Sequence, residues 1–169
     1  MSLETGGSVN FKPRPVEGAP VSAKKAVPKS LLLDGPQRMT SLYQVTLRDQ
    51  VVDTFTPKNK KVKRWFYIDI QKALDPSIDR EEAIVGIPED RIIRTDFGRE
   101  VILDLSSAQG EYAALMYPVC QVFEWDNWQD GFDEHWGGDG NKSVRDEFRA
   151  FKRQVLDNFN GYYVPVITP

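Results

Sequence analysis

The chain holds one cysteine, Cys120, and one histidine, His135, among 169 residues. A lone cysteine closes no internal disulfide and builds no cysteine-type structural zinc site, and a lone histidine excludes a histidine pair as metal ligands. No stretch approaches the roughly 18 to 20 apolar residues of a membrane-spanning helix. The opening segment MSLETGGSVNFKPRP also lacks the apolar run of a secretory signal. The expectation is a cytoplasmic protein with no membrane partner. The phosphate-cradling patterns G-x-x-x-x-G-K-[ST] and G-x-G-x-x-G are missing, as are the hydrolase patterns G-x-S-x-G and H-E-x-x-H, so no cofactor is expected. With 22 basic and 25 acidic side chains the net charge is -3, and no global excess of one sign commits the chain to nucleic acid.

What is present belongs to a folded domain: 40% hydrophobic and 28% charged residues exclude a wholly disordered or collagen-like chain. Residues 1–37 stand apart. They carry Pro13, Pro15, Pro20, Pro28 and Pro36 among glycines and lysines, with Leu31, Leu32 and Leu33 as the first cluster of large apolar side chains. Such a segment buries too little surface to offset its ordering entropy, and it is read as a flexible basic arm before a single domain at 38–169.

Within that domain, Leu42, Tyr43, Val45, Leu47, Val51, Val52 and Phe55 lead to a turn at 56–60 and a second apolar run, Val62 to Ile70, which reads as a hairpin. Leu42, Val45, Val52 and Phe55 also fit a helical spacing, so periodicity leaves residues 41–55 open between strand and helix. Asp79 with Glu82 reads as a capping box for a short helix reaching about Val85. Residues 91–95 and 100–105, around a turn holding Asp96, Phe97 and Gly98, read as a second hairpin. Pro118 interrupts the apolar run from Tyr112, and a strand is expected from Val119 to Trp125.

The clearest element lies near the end. Val144, Phe148, Phe151, Val155 and Phe159 share one helical face, with Ser143 as the expected cap and Asn160 and Gly161 as the stop; Asp146, Arg149, Arg153 and Asp157 make the solvated side. Tyr162 to Ile167 then reads as a strand that Pro165 places at an edge. The expected architecture is α+β: a mostly antiparallel sheet covered on one face by the C-terminal amphipathic helix.

Two segments carry candidate chemistry. Loop 124–141, EWDNWQDGFDEHWGGDGN, combines Trp125, Trp128 and Trp136 with many carboxylates. Aromatic anchors beside charged rims are what protein contact surfaces use, so these three tryptophans are the candidate partner-binding residues. Asp126, Asp130, Asp133 and Glu134 supply the oxygen ligands that hard cations prefer, and with Asp139 they are the candidates for carboxylate-dependent catalysis. An EF-hand register fails, because Trp128 falls on a ligand position and Gly137 on the required glutamate.

The second segment follows from charge asymmetry. Residues 1–72 hold 13 Lys and Arg against 6 Asp and Glu, whereas the remainder holds 9 against 19. The basic excess is sharpest at Lys58, Lys60, Lys61, Lys63 and Arg64, directly before Trp65, Phe66 and Tyr67. Lysines neutralise phosphates while aromatic faces stack bases, so Lys58, Lys60, Lys61, Lys63, Arg64, Trp65 and Tyr67 form the candidate single-stranded nucleic-acid site. A lysine-rich hairpin tip is equally an ordinary solvated turn. The function these features favour is a non-catalytic module that binds another protein or its own copy through an aromatic surface. Nucleic-acid binding through 58–67 and a small carboxylate enzyme using 124–141 are the alternatives.

Overall fold

The computed structural model describes residues 2–4, 13–28, 30–32 and 35–163. The chain divides into two compact units, one made of its two ends, Met1–Gln44 with Tyr163–Pro169, and one spanning Val45–Tyr162. The protein is α+β with antiparallel sheets.

In the first unit β1 (Ser2–Glu4) pairs antiparallel with β2 (Ser30–Leu32), and a 3-10 turn occupies Val21–Lys25. At residues 13–28, 31 and 35–44 none is buried, and Val21 and Val27 stand in solvent. That fits a segment with little apolar surface to hide. Helix α1 (Pro36–Thr46) opens directly after Gly35, whose φ is +76°. Proline suits a first helical position because the N–H it lacks has no intrahelical partner there. The strand reading of residues 42–47 is therefore corrected to helix. Most of these residues are competent helix formers, and the β-branched pair Val45 and Thr46 falls in the last turn, where it costs the helix little.

The second unit is built around β4 (Lys61–Asp69). Its hairpin partner β3 (Val52–Phe55) pairs with its first half, in the register Val52 to Arg64 and Phe55 to Lys61. The turn between them is made possible by Asn59 in the left-handed region, a conformation asparagine tolerates. Strand β5 (Ile84–Pro88) lies on the other edge of β4, and β8 (Met116–Pro118) continues the β3 edge against Tyr67–Asp69. The expected strand at 119–125 is replaced by this shorter, earlier one. Pro118 has no N–H to extend the ladder, and Val119–Gln121 turn away as a 3-10 helix. Asp79 does cap a helix, accepting from the Glu81 N–H, but it is a 3-10 turn of Arg80–Ala83 that β5 cuts short, not a helix reaching Val85. Between β4 and this turn lies α2 (Ile70–Leu74), capped by the Asp69 carboxylate, which accepts from the Lys72 N–H at 3.1 Å.

Strands β6 (Ile92–Thr95) and β7 (Glu100–Asp104) form the second hairpin as a separate two-stranded sheet, with a bulge at Ile102. Then follow α3 (Ala108–Ala113), α4 (Asp126–His135), α5 (Lys142–Phe151) and α6 (Asp157–Asn160), the last two joined by a π-turn at Lys152–Leu156. Asn141, not Ser143, precedes the C-terminal helix, because the 3-10 turn Asp139–Asn141 runs straight into it and leaves Ser143 inside. The π-turn, in which the Asp157 N–H donates to the Lys152 carbonyl, inserts one residue into the face. Leu156 is consequently buried where the simple spacing marks Val155, and Phe159 ends up exposed. Tyr162 and Tyr163 have no regular structure, and the rest of the expected final strand, with Pro165, lies outside the described residues.

Both faces of β4 are covered, and this decides what its aromatic run does. Phe66 and Ile68 pack on a cluster of Tyr112, Tyr117, Trp128, Phe132, Phe148, Phe151 and Leu156; Trp65 and Tyr67, on the opposite face, pack with Ile87, Leu105 and Met116. Alternation puts successive side chains on opposite faces, so a strand with two covered faces absorbs all three aromatics.

Candidate functional site

The polar centre of the second unit lies where its two apolar clusters meet. The Ser107 hydroxyl accepts the Gly110 N–H at 3.2 Å and starts α3, so that Glu111 and Tyr112, one turn later, point inward. Glu111 is only 4% exposed. Its Oε1 accepts the Tyr67 hydroxyl at 2.8 Å and its Oε2 accepts the Trp128 indole N–H at 3.1 Å, so one carboxylate ties a residue of each cluster.

Arg91 supplies the counter-charge. It stands at the end of a turn whose N–H donates to the Pro88 carbonyl at 2.9 Å, with φ at 59°, a left-handed conformation that a residue with a β-carbon adopts at some cost. From there Nη1 reaches Glu111 Oε1 at 3.5 Å, Nη2 lies 4.0 Å from Asp49, and the guanidinium covers the Trp65 ring at 3.9 Å from its centroid. The Arg91 carbonyl accepts the Leu105 N–H at 2.9 Å and so closes the base of the β6–β7 hairpin. Cys120 completes the group, its thiol 3.7 Å from Asp49.

The electrostatics follow from burial. Desolvation raises the Glu111 carboxyl above the usual carboxylate range, against the opposing pull of its Tyr67 and Trp128 hydrogen bonds and of Arg91. Burial, reinforced by the charge of Glu111, raises the Tyr67 phenol well above its ordinary value. Burial and Asp49 push the Cys120 thiol up to about 11. A thiol so raised is protonated near neutrality and is a poor nucleophile. Both Glu111 oxygens are engaged, so the cluster acts as an internal tie.

The sequence-derived candidates are dispersed by the fold. The segment read as loop 124–141 is largely helix α4, whose period of 3.6 sorts its residues. Trp128 is 2% exposed, with its ring 5.2 Å from Phe132 and 4.9 Å from Tyr117, so its place in a partner surface is corrected to the core. Trp125 and Trp136 are half-buried; Lys152 covers the Trp125 ring at 3.4 Å, and the Trp136 indole donates to the Tyr112 carbonyl at 3.0 Å. Asp126, Asp130, Asp133 and Glu134 are all exposed on the solvent side. Among the described residues no group of three or more His, Cys, Asp or Glu is placed to hold a metal ion.

The basic segment is tied down within its own sheet. Lys61 pairs with Asp53 at 3.2 Å, Lys63 with Glu89 at 2.9 Å, and Arg64 donates to the Gly86 carbonyl at 2.6 Å. Asp53, Lys61, Lys63, Arg64 and Glu89 line an open groove of about 580 Å³ with Val62 and Pro88. The side-chain hydrogen bond and charge of Glu89 raise the Lys63 ammonium above its usual value. Tyr67 is 1% exposed and offers no ring for a base, which removes it from a stacking site; Trp65 is capped by Arg91. Lys58 and Lys60 remain exposed at the turn.

The side chains the fold does present are elsewhere. At the tip of the β6–β7 hairpin Asp96, Phe97 and Gly98 have φ of 47°, 54° and 91°, and Phe97 projects fully into solvent. Val101 and Ile102 beside it are exposed too, the bulge leaving Ile102 without a cross-strand partner. The sequence marked this turn by an aromatic residue inside the polar string Asp96, Phe97, Gly98, Arg99. Glu111 carried a fainter signal, a single acid beside the long apolar run from Tyr112. No protein family, curated protein or solved structure matches this chain.

Proposed function

We propose that this chain is a non-catalytic assembly module that associates with its own copy through the β6–β7 hairpin. The observation that carries the reading is Phe97, a fully exposed aromatic held in a left-handed turn next to exposed Val101 and Ile102. Strained conformations persist only where the surrounding structure imposes them, and they gather at active sites, ligand clamps and switch regions. An apolar tip is a reason to associate. The same tip carries both signs of charge, Arg94 and Arg99 with Asp96 and Glu100. A patch of one sign repels its own copy, whereas a mixed patch is self-complementary in a two-fold contact.

The two alternatives have less support. A phosphate-binding reading loses Tyr67 to the core and has Lys61 and Lys63 already paired. The carboxylates of α4 line neither the 580 Å³ groove nor a second one of about 350 Å³ bounded by Gln129, Phe148, Arg149, Lys152, Arg153 and Asp157. The setting we propose is cytoplasmic, where a lone thiol stays reduced. Sedimentation velocity of the full chain over a wide concentration range tests the reading. The wild type is expected to dimerise with concentration, and Phe97→Ser with Ile102→Ser to stay monomeric at unchanged circular dichroism. A wild type that is monomeric at every concentration overturns it.

A further inference from the structure

The hairpin that bears Phe97 is joined to the core by two kinds of contact. Ile93 and Leu103 pack against Tyr67, Ile87, Leu105 and Met116. Below them Arg91 closes the hairpin with its carbonyl while its guanidinium reaches the buried Glu111. The first contact is insensitive to conditions. The second depends on a charge held in a place where charge is costly.

We propose that the Glu111–Arg91 pair is a proton-operated latch for the β6–β7 hairpin: Glu111 as carboxylate holds the base of the hairpin against α3, and its protonation frees Arg91 and loosens the hairpin. On protonation the carboxyl gains one proton from solvent, loses its ionic hold on Arg91, and keeps an acceptor for Tyr67 or Trp128. Arg91 then retains only the exposed Asp49 and the Trp65 face.

The charged and titratable groups facing Glu111 are Tyr67 from β4, Arg91 from the turn before β6, Asp49 before β3, and Tyr112, Tyr117 and Cys120 around it. The tyrosines and the cysteine are raised by burial and stay neutral through the acid range. Burial raises the Glu111 carboxyl and Arg91 lowers it, so a hairpin that opens while Glu111 stays buried leaves that carboxyl higher still, and protonation favours the open hairpin although it also favours the folded chain over the unfolded one. The regulatory meaning rests on the hairpin being the contact surface; the latch itself does not.

Hydrogen exchange of the full chain, held dilute so that association plays no part, separates the two. In the wild type, protection of amides in 92–104, corrected for intrinsic exchange chemistry, is expected to fall as pH drops through the titration of Glu111, while the β4–β5 ladder keeps its protection. Glu111→Gln is expected to exchange in the hairpin at least about tenfold faster at neutral pH, the scale set by losing a bond to a charged group, and to lose the pH response. Tyr67→Phe, which removes one hydrogen bond but leaves the ion pair, is expected to keep the hairpin protected. A hairpin whose protection does not vary with pH in the wild type overturns the latch, as does equal loosening in Tyr67→Phe. If Glu111→Gln fails to fold, Arg91→Met takes its place with the same expectation. A chain that dimerises without a pH-dependent hairpin refutes the latch alone, and a pH-dependent hairpin on a permanent monomer refutes the assembly reading alone.

Discussion

The aromatic side chains of α4 and α5 and the single aromatic of the β6–β7 turn meet opposite fates in one folded unit. Trp128, Phe132, Phe148 and Phe151 are buried on one another, with ring centroids 4.7 Å apart for Phe132 and Phe148, whereas Phe97 touches solvent on every side. The acidic neighbours are similar in the two places. What differs is periodicity. In the helices an apolar residue recurs on one face and the acids fall on the other, so burying the face costs no charge its water. In the turn Phe97 lies between Asp96 and Arg99 at a reversal of the chain, and no neighbouring element reaches over it. Aromatic content alone does not mark a binding surface; an aromatic out of period with its surroundings does.

The sharpest way to break this comparison is to truncate the buried rings. Phe148→Ala or Phe151→Ala is expected to cost about 3 to 5 kcal/mol in denaturant melts, because each leaves a cavity in a cluster that helps cover β4. Loss of less than about 1 kcal/mol from both would remove the helical face from the core.

A second test concerns glycines that let elements approach closely. A Cβ on Gly110 would collide with the Asp104 carbonyl, and one on Gly131 with the Tyr112 ring. Gly110→Ala is expected to destabilise by about 1 to 3 kcal/mol although alanine favours helix, since a backbone atom has little room to yield. Gly140→Ala, which meets open space, serves as the reference in the same thermal melts.

Ionisation sharpens the contrast between inside and outside. Glu111 is raised in the folded state, so folded chains hold more protons there than unfolded ones. Its contribution is intact below the ordinary carboxylate value and lost as pH rises through the raised one. Asp75, Asp90 and Asp104 are lowered by hydrogen bonds from Ser77, Arg94 and Ser106 respectively, and their contribution is present above the ordinary value and lost as pH falls. Urea titrations from acid to neutral pH are expected to show Glu111→Gln gaining stability relative to the wild type as pH rises, and Asp104→Asn losing it. A parallel pH profile for Glu111→Gln and wild type would contradict the burial assigned to this carboxylate.

The smallest effects belong to the surface. Phe97→Ser and Arg153→Ala are each expected to change stability by no more than about 0.5 kcal/mol, since neither is in a core or capping position. A large loss at Phe97 would mean that the turn is structural and would weaken its assignment as a contact.

Local order was legible wherever a residue pattern has one physical solution. The 3.6-residue recurrence of Phe148, Phe151 and their neighbours identified the C-terminal helix, and the turn at Asp96–Gly98 located the second hairpin. Residues 42–47 were ambiguous because a short apolar run satisfies both periods, and the choice fell to the start of the helix at Pro36. Leu156 escaped notice because a π-turn is set by packing and leaves no mark in simple spacing.

The sequence by itself determined the α+β class, the amphipathic helix, the hairpins and the poverty of apolar surface in the first unit, since these depend on neighbours along the chain. Only the tertiary structure decided that both faces of β4 are covered, that the lysines answer to Asp53 and Glu89, and that Glu111 meets Tyr67, Trp128 and Arg91. The Tyr67–Glu111 bond alone joins residues 44 positions apart. Local preference is blind to such separations, because the energy of a buried charge or ring is set by whichever distant groups replace its water.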